Sequence, residues 1–501
     1  MTPTVLYRWH RRIGLAVFVA IIAWALSGLS HPIMSRINPR PVVMHPPLST
    51  SDIASLAPLS ASLLDNGIAA FEKMQLLNID GGSFYRVEHG DSKSYINARS
   101  GLKSPLNDDT YAQQLARHYL GDDVSEVVAV ELITAFDEEY LFINRFLPVY
   151  KVTFQRPDNM RAYVEVSTGR LATLMDDRKA VVGWVFRQLH SWVFIQNPWL
   201  RTVLMSAVLF AGMALSVVGL LMAWRGRSKS GDVKGLGEQL SREDTPASTW
   251  HRRLGIGFGV LMLSFSFSGL FHLLNKPIVA PAAMPAPLQS FNAQNLTLDW
   301  PIVAHLSAGK YFRRASLAEV DGVPYLRLAL ATPQAIGKAD KPAAAEHHSN
   351  EPVSKSSDIV YINAQSSQAC ANCEHQHALH LAAYYARSAG DDPMVGQVEK
   401  ISHFSSDYGF INKRMPVHAV HIGDDSAASP VTLFVETATG ALAGRANNAS
   451  RAEGWSFSYL HKWHFFDGIS KTLRDILLGV TTLAIALLCL LGVWVSLKPR
   501  R

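Results

Sequence analysis

Six histidines stand at matched places in the two halves of this sequence, and imidazole is a common ligand of metal ions and haem iron. One pair begins two apolar runs, a second pair ends the same runs, and a third pair precedes the two remaining apolar runs. All three places keep histidine while much of the surrounding sequence differs, which favours a metal-binding or redox role. The pairs are His10 with His251, His31 with His272, and His190 with His461.

The spacing along the first apolar run separates these histidines into two levels. His10 and His31 are 21 residues apart, which is about 31 Å along an α-helix. The two side chains lie within about 60° of each other around the helix axis, so one helical face carries an imidazole at each end. They cannot share a metal. If ligands must lie at one membrane depth, His10 and His251 form an inner site, and an outer site draws on the other four.

A haem held between helices needs a gap between them and positive charges for its propionates. The alternative interpretation is that each WHRR segment is an interfacial anchor, with Trp at the lipid headgroups and Arg reaching out to water. The glycines that supply a gap are Gly14, Gly28, Gly255, Gly257, Gly259 and Gly269, and the candidate propionate partners are Arg11, Arg12, Arg252 and Arg253.

A further group of ligand-type residues has no matching segment in the first half of the sequence. Covalent haem attachment needs His directly after the second Cys of a CxxC motif, and Glu374 stands there, so that chemistry is excluded. Two alternatives stay open: a disulfide that pins a surface loop, or a site for a soft metal. The group comprises Cys370, Cys373, His375, His377 and His380, with His347 and His348 upstream.

Four apolar runs must position the histidines, and each is long enough to cross a membrane, for which about 20 residues are needed. The composition fits a chain with both membrane and water-facing parts, because 48% of its 501 residues are hydrophobic while the mean hydropathy is only +0.08. The net charge of +6 does not indicate nucleic-acid binding, since the basic residues gather beside the apolar runs. The runs are Ile13–Ser30, Thr202–Ala223, Leu254–Leu274 and Leu473–Leu497.

The two halves match segment by segment, which predicts an internal duplication. Since each half has two apolar helices, both copies run in the same direction through the membrane, as a parallel repeat. The matched segments are WHRRIG at 9–14 with WHRRLG at 250–255, SGL-x-H at 27–31 and 268–272, YINA at 95–98 and 361–364, FIN at 142–144 and 410–412, YVE-x-x-TG at 163–169 with FVE-x-x-TG at 434–440, and LH-x-W at 189–192 and 460–463.

Basic residues predict the orientation in the membrane. They concentrate at the N-terminus, in the loop between the second and third runs and at the C-terminus, so these three parts are expected in the cytoplasm. The two long segments then lie outside, and their alternating strands and helical stretches predict α+β domains. The predicted division is a transmembrane helix at 1–34, an outer domain at 35–199, a helix at 200–225, a cytoplasmic loop at 226–250, a helix at 251–275, a second outer domain at 276–470 with an insertion at 331–358, and a final helix and tail at 471–501.

The motifs taken together resemble the bacterial PepSY-associated transmembrane family. Its WHR-x-x-G helix start, SG-x-x-x helix end, Y/F-V-E-x-x-TG strand and LH-x-W element all occur twice here. The resemblance covers nearly the whole chain. It implies a membrane α-helical protein of the bacterial inner membrane with four transmembrane helices and two α+β extracytoplasmic PepSY-like domains.

Members of this family include iron-regulated inner-membrane proteins and haem-containing ferric-siderophore reductases. The resemblance therefore implies an oxidoreductase that passes electrons across the membrane to a periplasmic ferric siderophore or ferric chelate, with iron as substrate. It implies haem b, two per chain, held by histidines among the six named above. The implied partners are membrane lipids, an unidentified electron donor and the ferric acceptor, with no nucleic acid.

Two other functions fit the same sequence. One is a non-enzymatic PepSY membrane protein that binds or regulates a periplasmic partner, with the histidines as interfacial anchors. The other is a component of a metal or chelate transporter. The transporter interpretation is weaker because four helices leave little room for a pore and no acid is evident within the membrane. The acid that comes closest is Asp475, near the outer end of the fourth run.

Overall fold

The computed structural model describes residues 3–48, 52–228, 246–279, 284–307, 311–331, 358–391, 395–405, 407–409, 412–423 and 430–497. Several predictions fall outside this range: nearly all of the insertion at 331–358, most of the loop at 226–250, Phe410 and Ile411 of the second FIN segment, and His347 with His348. The chain divides into two units. A membrane unit comprises residues 1–37, 178–280 and 449–501, and a sheet unit comprises 38–177 and 281–448.

The described strands all belong to the sheet unit, whereas the described part of the membrane unit is helical. The helices are α1 (Pro3–Ile37), α2 (Leu59–Asp65), α3 (Asp108–Leu120), α4 (Asp177–Ser191), α5 (Pro198–Ser228), α6 (Pro246–Val279), α7 (Trp300–Leu306), α8 (Cys373–Ala389), α9 (Asn448–Trp455) and α10 (Lys471–Leu497), with a π-helical turn at Ser456–His461. The strands are β1 (Ala70–Phe71), β2 (Lys73–Ile79), β3 (Gly82–His89), β4 (Ser92–Asn97), β5 (Lys103–Ser104), β6 (Val127–Ile133), β7 (Val149–Phe154), β8 (Arg161–Glu165), β9 (Arg170–Met175), β10 (Phe291–Asn292), β11 (Tyr311–Val320), β12 (Val323–Ala331), β13 (Asp358–Asn363), β14 (Ala369–Cys370), β15 (Val395–Ile401), β16 (Val417–Ile422), β17 (Val431–Glu436) and β18 (Ala441–Ala446).

Four helices of the membrane unit are long and apolar enough to cross a membrane, and each contains one of the predicted runs. The spans are Val5–Ser30 in α1, Pro198–Arg225 in α5, Pro246–Asn275 in α6 and Lys471–Leu497 in α10. Helix α1 packs against α5 and α10, and α6 packs against the same two helices. Apolar side chains fill the centre of this four-helix bundle, including Val17, Leu215, Met262 and Ile485.

The sheet unit is built around one antiparallel sheet of eight strands, in the order β14-β13-β12-β11-β2-β3-β4-β5. Its two halves meet where β11 pairs with β2, with Ser316 opposite Gln75. Two smaller four-stranded sheets, β6 to β9 and β15 to β18, complete the unit. Helix α3 packs on the first of these small sheets and α8 on the second.

These observations confirm the prediction of four apolar helices combined with α+β regions. They also add a feature that the predicted division into two outer domains did not contain, because the two long segments share the eight-stranded sheet. Edge strands of two separate domains have free backbone N–H and C=O groups, and pairing β2 with β11 satisfies them.

The assignment of segment 370–380 as a stretch with no first-half counterpart was wrong. The segment contains the first turns of α8, and α8 packs on the second small sheet as α3 packs on the first. The two helices end alike: the Tyr119 hydroxyl of α3 donates to the carbonyl of Gly169 at 2.7 Å, and the Tyr385 hydroxyl of α8 donates to the carbonyl of Gly440 at 2.8 Å. The sequence did not reveal this match because the first turns of α3 and α8 differ in residue type.

Candidate functional site

His10 and His251 lie side by side in the membrane unit. They are on α1 and α6, the two helices that face each other across the bundle, and their ring centroids are 6.2 Å apart. Both helices are continuous from these residues past His31 and His272 respectively. The structure therefore brings together the two histidines that the sequence assigned to one membrane depth. We call His10 and His251 the terminal pair, because both stand near the first residue of a helix.

Each ring of the terminal pair packs on a glycine of a neighbouring helix. A Cβ atom added to Gly219 of α5 would lie 3.3 Å from Cε1 of His10, and one added to Gly492 of α10 would lie 2.9 Å from Cε1 of His251. The second distance is shorter than real side-chain contacts, so only glycine fits there unless the imidazole moves. These glycines make room for the rings in a bundle that is otherwise filled by apolar side chains.

Sequence reasoning missed both glycines, although the repeat offered a signal. Gly219 and Gly492 are 273 residues apart, and Leu200-Arg201 and Leu473-Arg474 share that spacing. The same spacing relates the backbone groups beside the rings. His251 Nδ1 lies 3.1 Å from the carbonyl oxygen of Leu488, and Nδ1 of His10, which is buried, makes no hydrogen bond of ordinary geometry to a described residue.

The four arginines proposed as propionate partners have different surroundings. Nη2 of Arg11 donates to the backbone carbonyl of Ser496 at 2.9 Å. The guanidinium of Arg253 lies over the ring of Trp250, 5.6 Å from its centroid. Arg12 and Arg252 are exposed. Arg12, Arg252 and Arg253 thus resemble surface cations, whereas Arg11 joins α1 to the end of α10.

At the other ends of the membrane helices, His190 and His461 make the same contact in each half. Nδ1 of His190 lies 2.9 Å from the hydroxyl of Ser27 on α1, and Nδ1 of His461 lies 3.0 Å from the hydroxyl of Ser268 on α6. The serine of each SGL-x-H motif therefore fixes the imidazole of the matching LH-x-W motif. In both halves the contact with serine involves Nδ1, and it orients the imidazole.

Aromatic stacking supports the two imidazoles. Phe186 stacks on His190, with centroids 4.7 Å apart, and Phe457 stacks on His461 at 5.0 Å. The tryptophans of the LH-x-W motifs stack in turn on α1 and α6, Trp192 on Trp24 and Trp463 on Phe265. The LH-x-W motif is thus a packing device that presents its histidine to the bundle.

His272 has a different environment from His190 and His461. Its Nδ1 contacts the carboxylate of the buried Glu453, and its ring stacks on Phe457 at 4.3 Å.

Burial, followed by the nearby charges of His190, Lys462 and His272, lowers the pKa of His461 to about 3, so the imidazole of His461 is neutral. We call His190, His272 and His461 the opposite set. The side chain of His31 lies outside the described part of the chain.

The cysteines and histidines of residues 370–380 have different surroundings and do not form one site. Cys370 and Cys373 form a disulfide, so neither sulfur is a thiolate ligand. His377 is buried with Nδ1 2.8 Å from the Tyr361 hydroxyl, whereas His380 approaches Asp321. His375 is exposed. Of the two alternatives for this segment, the structure has the disulfide.

Within the described residues, no group of three His, Cys, Asp or Glu side chains stands at the spacing of a metal site. Two imidazoles are enough for a haem iron, which has its own four ligands in the porphyrin plane. The arrangement that distinguishes this molecule is therefore a pair of histidines near one end of a four-helix bundle and a histidine set at the other.

Four helices long and apolar enough to cross a membrane, together with a large sheet unit, define the class: this is a membrane protein. A comparison with known families matches residues 7–395 to the PepSY-associated TM region. The match covers well over half of the 501 residues, and the chain belongs to that family. A comparison with curated proteins finds none that matches.

Proposed function

We propose that the protein is a haem-containing membrane oxidoreductase that passes electrons through its helix bundle to a ferric siderophore or ferric chelate. The observation that carries this proposal is the terminal pair, His10 and His251, whose ring centroids are 6.2 Å apart. Two imidazoles this close to each other could both ligate one haem iron. An anchoring role at the membrane surface gives no reason for two imidazoles to meet.

The surroundings of the terminal pair fit a haem by a second criterion. Gly219 and Gly492 leave room beside the rings where any Cβ atom would intrude. The carbonyl of Leu488 lies against Nδ1 of His251, which leaves Nε2 as the metal-binding atom, and a backbone acceptor of this kind orients the ligands of many metal sites. Arg11, on the same turn of helix as His10, is the closest propionate partner.

For the opposite set, we propose His190 and His461 as the ligand pair. Both have Nδ1 held by a serine of the neighbouring helix, and both are stacked on an aromatic ring. His272 instead uses its Nδ1 for Glu453, and we assign it to orienting and charge compensation beside that pair. A haem held at each position would supply one-electron redox chemistry.

The chain contributes insulation and orientation. Apolar residues such as Val17, Ile21 and Met262 fill the bundle between the two histidine levels, which keeps water away from the path. Ser27 and Ser268 fix the tautomer and ring direction of His190 and His461. The acceptor receives one electron for each ferric ion that becomes ferrous, and the donor is a reductant of the membrane or the cytoplasm.

Orientation, location and ancestry are part of the same proposal. The clustered basic residues support an orientation with both termini in the cytoplasm and the long segments in the periplasm of a bacterial inner membrane. The recurring elements, from the Ser–His contacts to the Tyr–carbonyl contacts of α3 and α8, support an internal duplication. They also support PepSY-like domains in each of the two long segments.

An optical spectrum tests this function. We expect protein purified in detergent from haem-sufficient cells to show a Soret band that shifts on reduction with dithionite and returns when a ferric chelate is added. His10→Ala or His251→Ala should remove about half of the haem, while the exposed His305→Ala should remove none. Colourless protein that cannot be reconstituted with haem would exclude the proposal and leave the partner-binding module as the alternative.

Two glycine variants separate a haem site from a general packing effect. Gly492→Ala places a methyl group against His251 and should shift the haem spectrum or lower haem content. Gly257→Ala on α6 is the matched control, because a Cβ atom there meets nothing within 4 Å. Equal effects of the two substitutions, or none from either, would contradict the placement of haem at the terminal pair.

A further inference from the structure

A row of buried polar side chains crosses the eight-stranded sheet from one half of the molecule to the other. Each member stands opposite the next on a neighbouring strand, and each is at most 6% exposed. The order of residue types is the same when read from either end, apart from the central two. The row is Tyr95, Arg86, Gln75, Ser316, Arg327 and Tyr361.

In the first half, the arginine of this row is Arg86, and a carboxylate of the same half neutralises its charge. Nε and Nη2 of Arg86 donate to the two carboxylate oxygens of Asp108 at 2.6 and 2.8 Å. The same carboxylate accepts hydrogen bonds from Lys93, Tyr95 and Tyr150. Burial alone would raise the pKa of Asp108, but these hydrogen bonds and the charge of Arg86 hold it well below its usual range. Arg86 therefore has its counter-charge within the protein.

In the second half, the matching arginine has no ion pair with any acid that the structure describes. Arg327 is 3% exposed. Its hydrogen-bond partners among the described residues are neutral hydroxyls: Nη2 donates to Thr437 at 3.2 Å, and the hydroxyl of Tyr361 lies beside the guanidinium. Its Nε is buried and makes no hydrogen bond there. A buried cation without a counter-charge costs several kcal/mol, and native proteins pair or ligate such groups.

The residue at the place of Asp108 is Glu374, and it faces elsewhere. Its Oε2 accepts from Lys400 at 3.1 Å, and its Oε1 lies 3.5 Å from Nε2 of His418. Glu374 and Asp108 are both in the first turn of their helices, α8 and α3. The second half therefore retains the arginine and the tyrosine of the cluster, but no carboxylate of the described residues lies between them.

Two further side chains have changed type at this place. Tyr111 of α3 corresponds to His377 of α8, and Tyr150 of β7 corresponds to His418 of β16. His377 is 1% and His418 is 4% exposed, and both Nε2 of His377 and Nδ1 of His418 are buried without a hydrogen-bond partner among the described residues. The Tyr361 hydroxyl lies 2.8 Å from Nδ1 of His377. In the tautomer in which this hydroxyl donates, the hydrogen of His377 resides on Nε2 and makes it a second donor beside Arg327.

We propose that the second half binds a small carboxylate anion between Arg327 and His377, at the place that the Asp108 side chain occupies in the first half. The guanidinium supplies a charged donor and the imidazole a neutral one, a combination that suits a carboxylate. The intramolecular ion pair of the first half is the template for this ligand. The site is distinct from the histidines of the membrane unit and does not depend on haem.

Formate is the probe, and local hydrogen exchange is the measurement. The full-length protein in detergent would be exchanged in formate and, at equal ionic strength, in gluconate, whose long polar chain cannot enter a buried site. We expect formate to slow exchange at least several-fold, in a saturable manner, in peptides from β12 and α8, but not in peptides from β3 and α3. Ligand binding to the native state alone requires such protection.

Three variants decide between explanations. Arg327→Gln should abolish the formate effect, and His305→Ala should leave it intact. Glu374→Gln should also leave it intact, because Glu374 is not the counter-charge. If formate protects the wild type and Arg327→Gln equally, or not at all, the proposal is wrong. If Glu374→Gln alone destabilises β12 without any formate effect, Glu374 turns inward and neutralises Arg327, which also overturns it.

A gain-of-function variant keeps the test independent of Arg327. Asp108→Ala opens the first-half cluster, so formate should restore protection to β3 and α3 in this variant. Rescue there, together with saturable protection of β12 in the wild type, supports one shared geometry. Failure of formate to act on either half would show that water alone satisfies these donors.

Discussion

The buried polar clusters of the two halves have the same backbone frame and opposite electrostatics. We call them the Asp108 cluster, formed by Arg86, Asp108, Tyr95 and Tyr150, and the Arg327 cluster, formed by Arg327, Glu374, His377 and His418. In the Asp108 cluster every charge has a close partner. In the Arg327 cluster the arginine has none among the described residues.

The comparison teaches that one frame can serve for stability or for binding, depending on a few side chains. Where the first half has two tyrosines, the second half has His377 and His418. Where the first half has Asp108, the second half has Glu374, which accepts a hydrogen bond from Lys400. In the membrane unit, by contrast, the Ser–His contact is the same in each half, within 0.1 Å. The halves thus match where we place the haem ligands and differ at the Arg327 cluster.

The largest expected effect comes from removing each arginine. Arg86→Gln leaves Asp108 buried and short of its main partner, so the opening free energy of β3, measured by hydrogen exchange, should fall by about 3–5 kcal/mol. Arg327→Gln, the matched variant, removes a buried charge that no described acid neutralises, so the opening free energy of β12 should not fall in formate-free buffer and should rise by up to about 3 kcal/mol. Equal losses would erase the distinction between the clusters.

Acid should destabilise the Arg327 cluster before the Asp108 cluster. Burial, then the charges of Arg327, His380 and His418, lowers the pKa of His377 to about 3. Burial, then Lys400, Arg327 and His375, lowers the pKa of His418 to about 3. Since the unfolded chain binds protons at the ordinary histidine pKa of about 6.5, stability is complete above that pH and is lost as the pH falls below it.

The size of this acid effect follows from the same linkage. Between pH 7.5 and pH 5, each histidine should cost about 2 kcal/mol of the opening free energy of β12 and α8. The double variant His377→Tyr/His418→Tyr installs the residue types of the Asp108 cluster and should flatten the pH profile over this range. A profile that stays steep in the double variant would assign the pH dependence to other groups.

The smallest effects are expected where the two helices begin. Helix α3 is capped by Asn107, whose side chain accepts from the backbone N–H of Thr110, and Asn107→Ala should cost about 1 kcal/mol. Helix α8 lacks a side-chain cap at Asn372 and begins at the disulfide. Closing so short a loop is worth about 2 kcal/mol, so Cys370→Ser/Cys373→Ser should lower its stability by up to that amount, read by thermal unfolding with and without reductant.

Much of the architecture could be predicted because it depends on local patterns. The apolar runs are visible as composition, and the segment of β3 and β4 alternates around a Gly-Asp turn. The histidine levels followed from helical rise alone, and the structure brings His10 and His251 together as the depth rule required. The contact of Ser27 with His190 was not foreseen, although both belong to recurring motifs, because no local pattern joins residues 163 positions apart.

The sequence by itself determined that this is a membrane protein with four apolar helices, two similar halves and a small set of repeated histidines. Periodicity and motif recurrence reveal these properties, and both can be recognised without knowing which residues are in contact. Only the tertiary structure decided that β2 and β11 join the halves into one sheet, that Gly219 and Gly492 receive the imidazoles, and that Arg327 is buried without an acid. Each of these depends on which distant side chains meet, and on the free energy of burying a charge in the place that results.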